Sequence, residues 1–425
     1  MHKGGVTRME TQPPGEASGR PVTHAPGKTP DLFSPQALDN PYAVYARLLE
    51  QPACWSAESQ LWLFSRHADC LEVLANPRFS RNIASARKRR PQDYPPPPEA
   101  LAALSAMHNQ WFLLMDPPDH TRLRAVTKRA LGPRMKELAI HIQALAESLV
   151  FQARQRGGMD VISEFAMPLA RSTLRQLVGA DDLDEGLYQH WALCLARCAD
   201  ASAPLGVREA ASAATREVHQ SLQAAVVRRR KSRRTDVLGL LVAAQEDEQA
   251  LSEEELLPTC MLLLFGGYDT SVNLMGNGML ALMEHRAQWE ALCAEPSRAK
   301  GAVEEVLRFD TPLQLVSRMA QEDVDVGGTH VRAGEWAWVL LGAANRDPRR
   351  FENPDALDIQ RTDLQHVAFG HGLHQCVGAA LGRIEAQSAF GTLARELPQL
   401  RLVPGAWKRR DTAVFRGLTT LPCQL

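Results

Sequence analysis

The chain has 425 residues, 45% of them hydrophobic and 23% charged. That is enough apolar material for a large core, and it excludes both a disordered chain and a small disulfide-stapled scaffold. Lysine and arginine number 48 against 49 aspartates and glutamates, a formal net charge of -1, so a general nucleic-acid binder and a strongly charged membrane-surface protein are excluded too.

The eight cysteines are scattered without framework spacing and read as reduced thiols. No stretch approaches the roughly 18 apolar residues of a membrane span, and the N-terminus lacks the apolar core of a signal peptide. A soluble, cytoplasmic protein with no membrane association is the expectation.

In chain order, residues 1 to about 35 are rich in Pro, Gly, Thr and Ser and are expected to form a poorly ordered tail, with one large folded domain over 36–425. From Asn40, N-P-Y-A-V-Y-A-R-L-L-E and R-H-A-D-C-L-E-V-L-A-N-P show the apolar spacing of short amphipathic helices, with W-L-F-S between them as a strand. The stretch from Arg78 to about Ala100 holds six basic residues and four consecutive prolines, which predicts a long loop and a wall or lid of a binding site. From Asp119 to about Arg308 the 3.6-residue period predicts helix throughout, with no strand of useful length. The basic run at 228–234 reads as a solvated inter-helix loop offset by the acids that follow it, and less readily as a nucleic-acid patch. Strand patterns cluster late, in D-V-D-V-G-G-T-H-V, W-A-W-V-L-L, R-L-V-P and T-T-L-P-C. The fold class expected is mainly α with small peripheral β-sheets.

The densest cluster of reactive residues is H-V-A-F-G-H-G-L-H-Q-C-V-G-A-A-L-G-R at 366–383. Its glycines permit turns, and an apolar helical pattern starts just after Cys376, which places the thiol at a helix N-terminus, where the dipole favours thiolate. Taken alone, His366, His371, His374 and Cys376 are open to a zinc reading, although no second ligand pair accompanies them, and Cys376 is open to an inert structural one.

A second cluster, L-L-L-F-G-G-Y-D-T-S at 262–271, lies in a long helix opened by a capping box of Ser252 and Glu255. Gly266 and its neighbour thin the helix wall, and Asp269 and Thr270 set a carboxylate beside a hydroxyl. Pro258 predicts a kink or a delayed start of this helix. Glu305 and Arg308 share a helix face at i, i+3, as do Glu295 and Arg298. In M-D-P-P-D-H-T-R-L-R, His120 and Arg124 fall at i, i+4 and can reach one anionic group together.

The string Phe369, Gly370, Gly372, His374, Cys376, Gly378 resembles the cysteine-loop signature of the cytochrome P450 superfamily, the haem-thiolate monooxygenases. The other clusters follow in that family's order, and the resemblance covers the chain from about Asn40 to its end. It is similar above all to the soluble bacterial members. It implies the cytochrome P450 fold and haem b, with Cys376 as axial ligand to the iron and Phe369, Gly370 and Gly378 of the same loop also binding the cofactor. It implies that His120, Arg124, Arg318 and His374 bind the propionates, that Asp269 and Thr270 handle protons during oxygen activation, and that Glu305, Arg308 and Arg361 form a structural cluster.

The resemblance further implies that one atom of O2 enters a largely apolar small organic substrate by hydroxylation or epoxidation, in a setting such as natural-product metabolism. The chain leaves no room for a fused flavin domain, so electrons from NAD(P)H are expected through a separate ferredoxin and ferredoxin reductase, with Arg122, Lys128, Arg129 and Arg383 as candidate docking charges. The substrate pocket is expected from Leu262, Phe265, Gly266, Leu313, Gln314, Leu315, Val316, Phe415, Leu418 and the loop over 78–110, with Gln314 as the polar handle. Oxidative coupling, ring closure, peroxide-driven oxidation and non-catalytic haem binding are the alternatives.

Overall fold

Apolar residues three and four apart become helix along most of the chain. The computed structural model describes residues 30–82, 97–200, 203–232, 234–245 and 250–425. It opens with α1 (Pro35–Asp39), α2 (Pro41–Leu49), β1 (Ala53–Ser56), β2 (Leu61–Phe64), α3 (His67–Ala75) and β3 (Phe79–Ser80). A helical body follows: α4 (Ala102–Asn109), α5 (Asp119–Leu131), α6 (Met135–Arg156), the short β4 (Gly158–Asp160), α7 (Met167–Val178) and α8 (Glu185–Cys198). It continues through α9 (Leu205–Lys231), α10 (Val237–Ala244), α11 (Glu253–Glu284), α12 (Arg286–Ala294) and α13 (Ala299–Phe309). Then come β5 (Leu315–Ala320), β6 (Val324–Val326), β7 (Thr329–Val331), β8 (Trp336–Leu340), α14 (Leu341–Ala344) and α15 (Ala379–Glu396). The chain closes on β9 (Arg401–Leu402), β10 (Lys408–Arg409), β11 (Leu418–Thr420) and β12 (Pro422–Gln424).

The largest sheet has the order β1-β2-β8-β5-β3, with β2 and β8 parallel and the remaining pairs antiparallel. Three of its five strands come from residues 53–80, ahead of the helical region, so the expected late clustering of strands holds only for β5 and β8 in this sheet. One strand does interrupt the helical region: Met159 of β4 pairs with Cys423 of β12, so the C-terminus is stitched to the middle of the chain. A three-residue strand is too short to leave an alternation in the sequence.

The central helix α11 is 32 residues long and buried on most of its circumference, from Leu256 to Met283. A helix apolar all round belongs inside a large helical body, and at 1.5 Å per residue it spans roughly 48 Å. The expected delay at Pro258 does not occur. The helix begins at Glu253, where the Glu255 carboxylate accepts from the Ser252 N–H at 2.9 Å, and Pro258 lies inside it, fully enclosed. The cap and the surrounding burial outweigh the one backbone bond that proline removes.

Leu32 is buried and Phe33 meets Trp338 edge-on at 5.8 Å between ring centroids, so packing begins before the tail boundary expected near 35. The first part of the basic run is helix, not loop: Arg228, Arg229, Arg230 and Lys231 form the last turn of α9, where cations suit the helix dipole, and Ser232 and Arg234 lie between α9 and α10. Arg229 is buried against Asp236 at 2.8 Å, Arg234 meets Asp181 at 2.9 Å, and Arg228 and Arg230 pair with Asp182 and Glu253. Most of the predicted basic loop, residues 83–96, lies outside the described residues. Among the described residues, no helix is long and apolar enough to cross a membrane.

Candidate functional site

The cysteine loop hangs from the protein by backbone bonds. Val367 donates its N–H to the Asn345 side chain at 2.8 Å, Gly370 donates to the Val367 carbonyl at 2.8 Å, and Cys376 donates to the Phe369 carbonyl at 2.9 Å. Gly370 and Gly372 have φ of +68° and +67°, and a Cβ on Gly372 would lie 2.7 Å from the Leu74 carbonyl oxygen, so both turns depend on glycine. The Phe369 ring lies under the Arg383 guanidinium at 4.5 Å. Cys376 sits two residues before Gly378, the N-cap of α15. It lies deep in the protein yet remains accessible, because it faces a cavity of about 390 Å³.

The expected thiolate does not follow from the helix N-terminus. Burial pushes the Cys376 thiol up, and the Gly378 N–H, Arg124 and Arg383 only partly offset it. A metal cation is the charge that would hold this sulfur as thiolate.

His120 and Arg124 line one edge of the cavity from α5, Arg318 from β5 and His374 from the loop. The two imidazoles stack edge to face at 4.5 Å, and both nitrogens of His120 and Nδ1 of His374 are buried without partners among the described residues. Burial pushes the His120 pKa down to about 4 and that of His374 to about 2, with nearby arginines adding to both. The imidazoles therefore stand as neutral donors beside guanidiniums. Arg124 donates to the Gln375 carbonyl, and Arg318, almost wholly buried, donates to the Ser317 carbonyl at 2.9 Å.

The opposite wall is α11. A Cβ on Gly266 would meet nothing within 4 Å, whereas one on Gly267 would lie 2.6 Å from Leu174 of α7. Gly266 is thus the residue that leaves space, and Gly267 permits a close helix crossing. Thr270 donates its hydroxyl to the Gly266 carbonyl at 2.7 Å. Asp269, 1% exposed, is ion-paired with Arg410 and accepts from Asn273 at 3.0 Å. The acid and the alcohol therefore adjoin without bonding to each other.

Two partners escaped the motif reading. Arg410 carries no local pattern. Glu385 does carry a signal, an acid inside the apolar face of α15. It is 1% exposed, lines the cavity and accepts from Ser271; burial raises its pKa to about 8.

Leu262, Phe265, Gly266, Leu313, Val316 and Phe415 line the cavity, while Gln314, Leu315 and Leu418 do not. Strand alternation explains Leu315, which faces away from Val316 and Arg318, whereas Gln314 precedes β5, outside the alternation, and turns toward Tyr45. Gln314 accepts from the Tyr45 hydroxyl at 3.0 Å and donates to the Thr311 carbonyl at 2.7 Å. Leu315 packs with Tyr45 and Leu48, and Leu418 is fully buried in β11. The expected polar handle is therefore not in the pocket.

Arg122 is engaged by Glu255 at 2.6 Å and Arg383 by Glu304 at 2.7 Å, so neither is a free docking charge, whereas Lys128 and Arg129 are exposed. His366 meets Glu304 at 3.2 Å and His371 is exposed; among the described residues no three His, Cys, Asp or Glu side chains converge on a metal-sized site. The zinc arrangement is therefore not formed.

Behind the loop, Arg308 grips Glu305 through two bonds of 2.8 Å, both residues being fully buried, and Arg361 reaches Glu305 at 3.2 Å. The similar Glu295 and Arg298 form a surface pair at 2.7 Å, more than a third of each side chain or close to it being exposed.

The family model "Cytochrome P450" matches residues 205–397. The chain is 33% identical over 394 residues to the biotin biosynthesis cytochrome P450 of Bacillus subtilis, covering 92% of this chain and 97% of that protein. It is 36% identical over 400 residues to the vitamin D(3) 25-hydroxylase of Pseudonocardia autotrophica, covering 92% and 95%. Among solved structures, P450BioI in complex with an acyl carrier protein bearing hexadec-9Z-enoic acid superposes with a TM-score of 0.85 at 32% identity, covering 92% of this chain and all of that one. CalO2 superposes with a TM-score of 0.85 at 32% identity, covering 94% and 99%. Similarity of this extent, along nearly the whole length of both partners, makes the chain a member of the bacterial cytochrome P450 monooxygenases, a haem-dependent family of oxidoreductases.

Proposed function

We propose that this protein inserts one atom of O2 into a largely apolar small organic molecule, by hydroxylation or epoxidation, at a haem b held through Cys376. The observation that carries the reading is the cavity itself: a thiol on one wall, an open glycine and a hydroxyl on the facing wall, and neutral imidazoles and guanidiniums along one edge. The fit is chemical. Orphaned donors on His120 and His374, with Arg124 and Arg318 beside them, suit paired carboxylates, and the apolar walls suit a porphyrin. When bound, the haem supplies the one-electron and oxygen chemistry.

The chain's own residues do the rest. Leu262, Phe265, Leu313, Val316 and Phe415 exclude water and hold an apolar substrate. Thr270 offers a hydroxyl that donates to the Gly266 carbonyl, and Asp269 is oriented by its ion pair with Arg410. Glu385, whose carboxyl pKa is pushed up to about 8 by burial, lines the same cavity and is linked to this helix segment through Ser271. Electrons come from NAD(P)H through a separate ferredoxin and its reductase, with exposed Lys128 and Arg129 as docking charges. The protein is expected to work in the cytoplasm on an intermediate or product of natural-product metabolism, a reading supported by relatives named for biotin, polyketide and vitamin D chemistry.

The test is the carbon monoxide difference spectrum of the reduced protein beside Cys376→Ser. The red-shifted Soret band of a haem-thiolate is expected in the parent and not in the variant. A band that survives the substitution, or a protein that takes up no haem, would remove Cys376 from its role.

A further inference from the structure

Arg81 belongs to none of the four motifs, yet it reaches the same cavity. It follows directly on β3 and lines the cavity edge beside Arg318 and His374. Its Nε is buried with no hydrogen-bond partner among the described residues. Enclosure pushes its pKa down to about 10, with no acid opposing the shift, and its charge in turn lowers both Arg318 and His374. A half-buried guanidinium without a counter-charge is costly, so its position calls for an anion.

The charges along this edge say how much anion. Arg81, Arg124 and Arg318 bring three guanidiniums to this edge, with the His120 and His374 rings beside them. Among the described residues the nearby carboxylate is Asp116, which accepts from Ser80 at 2.6 Å and from Gln321 at 3.2 Å and is the acid that Arg318 senses. Two positive charges remain unmatched, and a haem carries two propionates. Without Arg81 only one would remain. We propose that Arg81 is a carboxylate anchor of this cavity, acting with Arg318 and His374, and that the carboxylate it holds is a haem propionate. The inference rests on the haem-binding reading above. An acidic substrate entering by the same edge would present the same chemistry, so the test separates the two sources.

The experiment compares the parent holoenzyme with Arg81→Gln and Arg81→Lys, each loaded with haem or with haem dimethyl ester. Haem transfer to excess apomyoglobin is followed by absorbance, and palmitic acid and methyl palmitate are titrated by spin-state change. Loss of a charge-assisted bond is expected to speed haem release by about tenfold in Arg81→Gln, with Arg81→Lys in between because it keeps the charge and loses the fork. With the dimethyl ester, parent and variants are expected to release at the same rate. An unchanged release rate together with about tenfold weaker palmitic acid binding, methyl palmitate being unaffected, would overturn the propionate assignment and move the anchor to the substrate. No change in either measurement would overturn the anchor itself. The parent's carbon monoxide band reads the iron ligand separately, and the ester comparison reports on Arg81 whichever ligand the iron has.

Discussion

At the scale of single residues, the wall facing Cys376 separates groups tied to stability from groups free to do chemistry. Asp269 is almost wholly buried against Arg410, which is itself only 10% exposed. Asp269→Ala leaves that guanidinium enclosed and unpaired, so it should cost about 3 kcal/mol or more of unfolding free energy in urea melts. Thr270→Ala removes one bond to the helix's own backbone and should cost about 1 kcal/mol or less, while lowering product formed per NAD(P)H consumed. Equal stability losses for the two would mean that the ion pair is not enclosed in solution.

Glu385 adds a pH signature. Its pKa is raised from 4.5 to about 8, so between those values the folded protein holds a proton that the unfolded chain releases. Its contribution is therefore fully present below pH 4.5 and is lost as the pH rises through about 8. Melting temperature measured from pH 5 to 8.5 should fall more steeply in the parent than in Glu385→Gln, which cannot ionise; parallel curves would show that Glu385 is already charged in the fold.

At the scale of elements, adjacent glycines on α11 do different work. Gly267→Ala drives a methyl into Leu174, 2.6 Å from the ideal Cβ position, and should destabilise by about 1 to 3 kcal/mol. Gly266→Ala meets nothing, and should leave stability unchanged or raise it by up to ~1 kcal/mol through helix propensity, while the added methyl weakens carbon monoxide binding to the reduced protein. The reverse ranking in paired melts and ligand titrations would exchange the two roles.

Sequence alone showed that this helix was long, capped and thinned by glycine, because capping chemistry and motif order are local. It could not show which glycine faced open space, since that depends on where α7 crosses. The same limit explains the pocket residues around β5. Val316 and Arg318 face inward and Leu315 outward, a phase set by the pairing of β5 with β8, while Gln314 lies before the strand and is turned away by its bonds to Tyr45 and Thr311. Arg410 and the Ser271 to Glu385 contact are long-range, so no window of sequence reveals them, while Arg81 was legible only as one of six basic residues in a loop expected to wall the site. Cys376, His120, Arg124 and Glu305 were legible because short spacings place them before any tertiary contact forms.

At the scale of the whole molecule, the buried Glu305 cluster is joined to the cysteine loop by one asparagine. Arg308 donates to the carbonyls of Asn345, Pro354 and Ala356 at 2.7 to 3.1 Å as well as to Glu305. Asn345 in turn donates to the Leu307 carbonyl at 3.3 Å and accepts from the Val367 N–H at 2.8 Å, where the loop carrying Cys376 begins. Cluster and loop thus share a hinge whose two bonds lie on opposite sides of one amide. Removing Arg308 strands a fully buried carboxylate and should cost about 3 to 5 kcal/mol, enough to take much of a typical domain's stability of roughly 5 to 15 kcal/mol. Arg308→Ala is therefore expected to reach the soluble fraction poorly and to take up little haem.

Asn345→Ala leaves the Glu305 pairing in place and frees the Val367 end of the loop. Its unfolding cost should be about 1 to 3 kcal/mol, with hydrogen exchange at residues 367–376 faster while α13 keeps its protection. If Asn345→Ala instead exposes α13 and the loop together, the two are one cooperative unit, and the cluster would hold the cysteine through the core as a whole, with no separable hinge at residue 345.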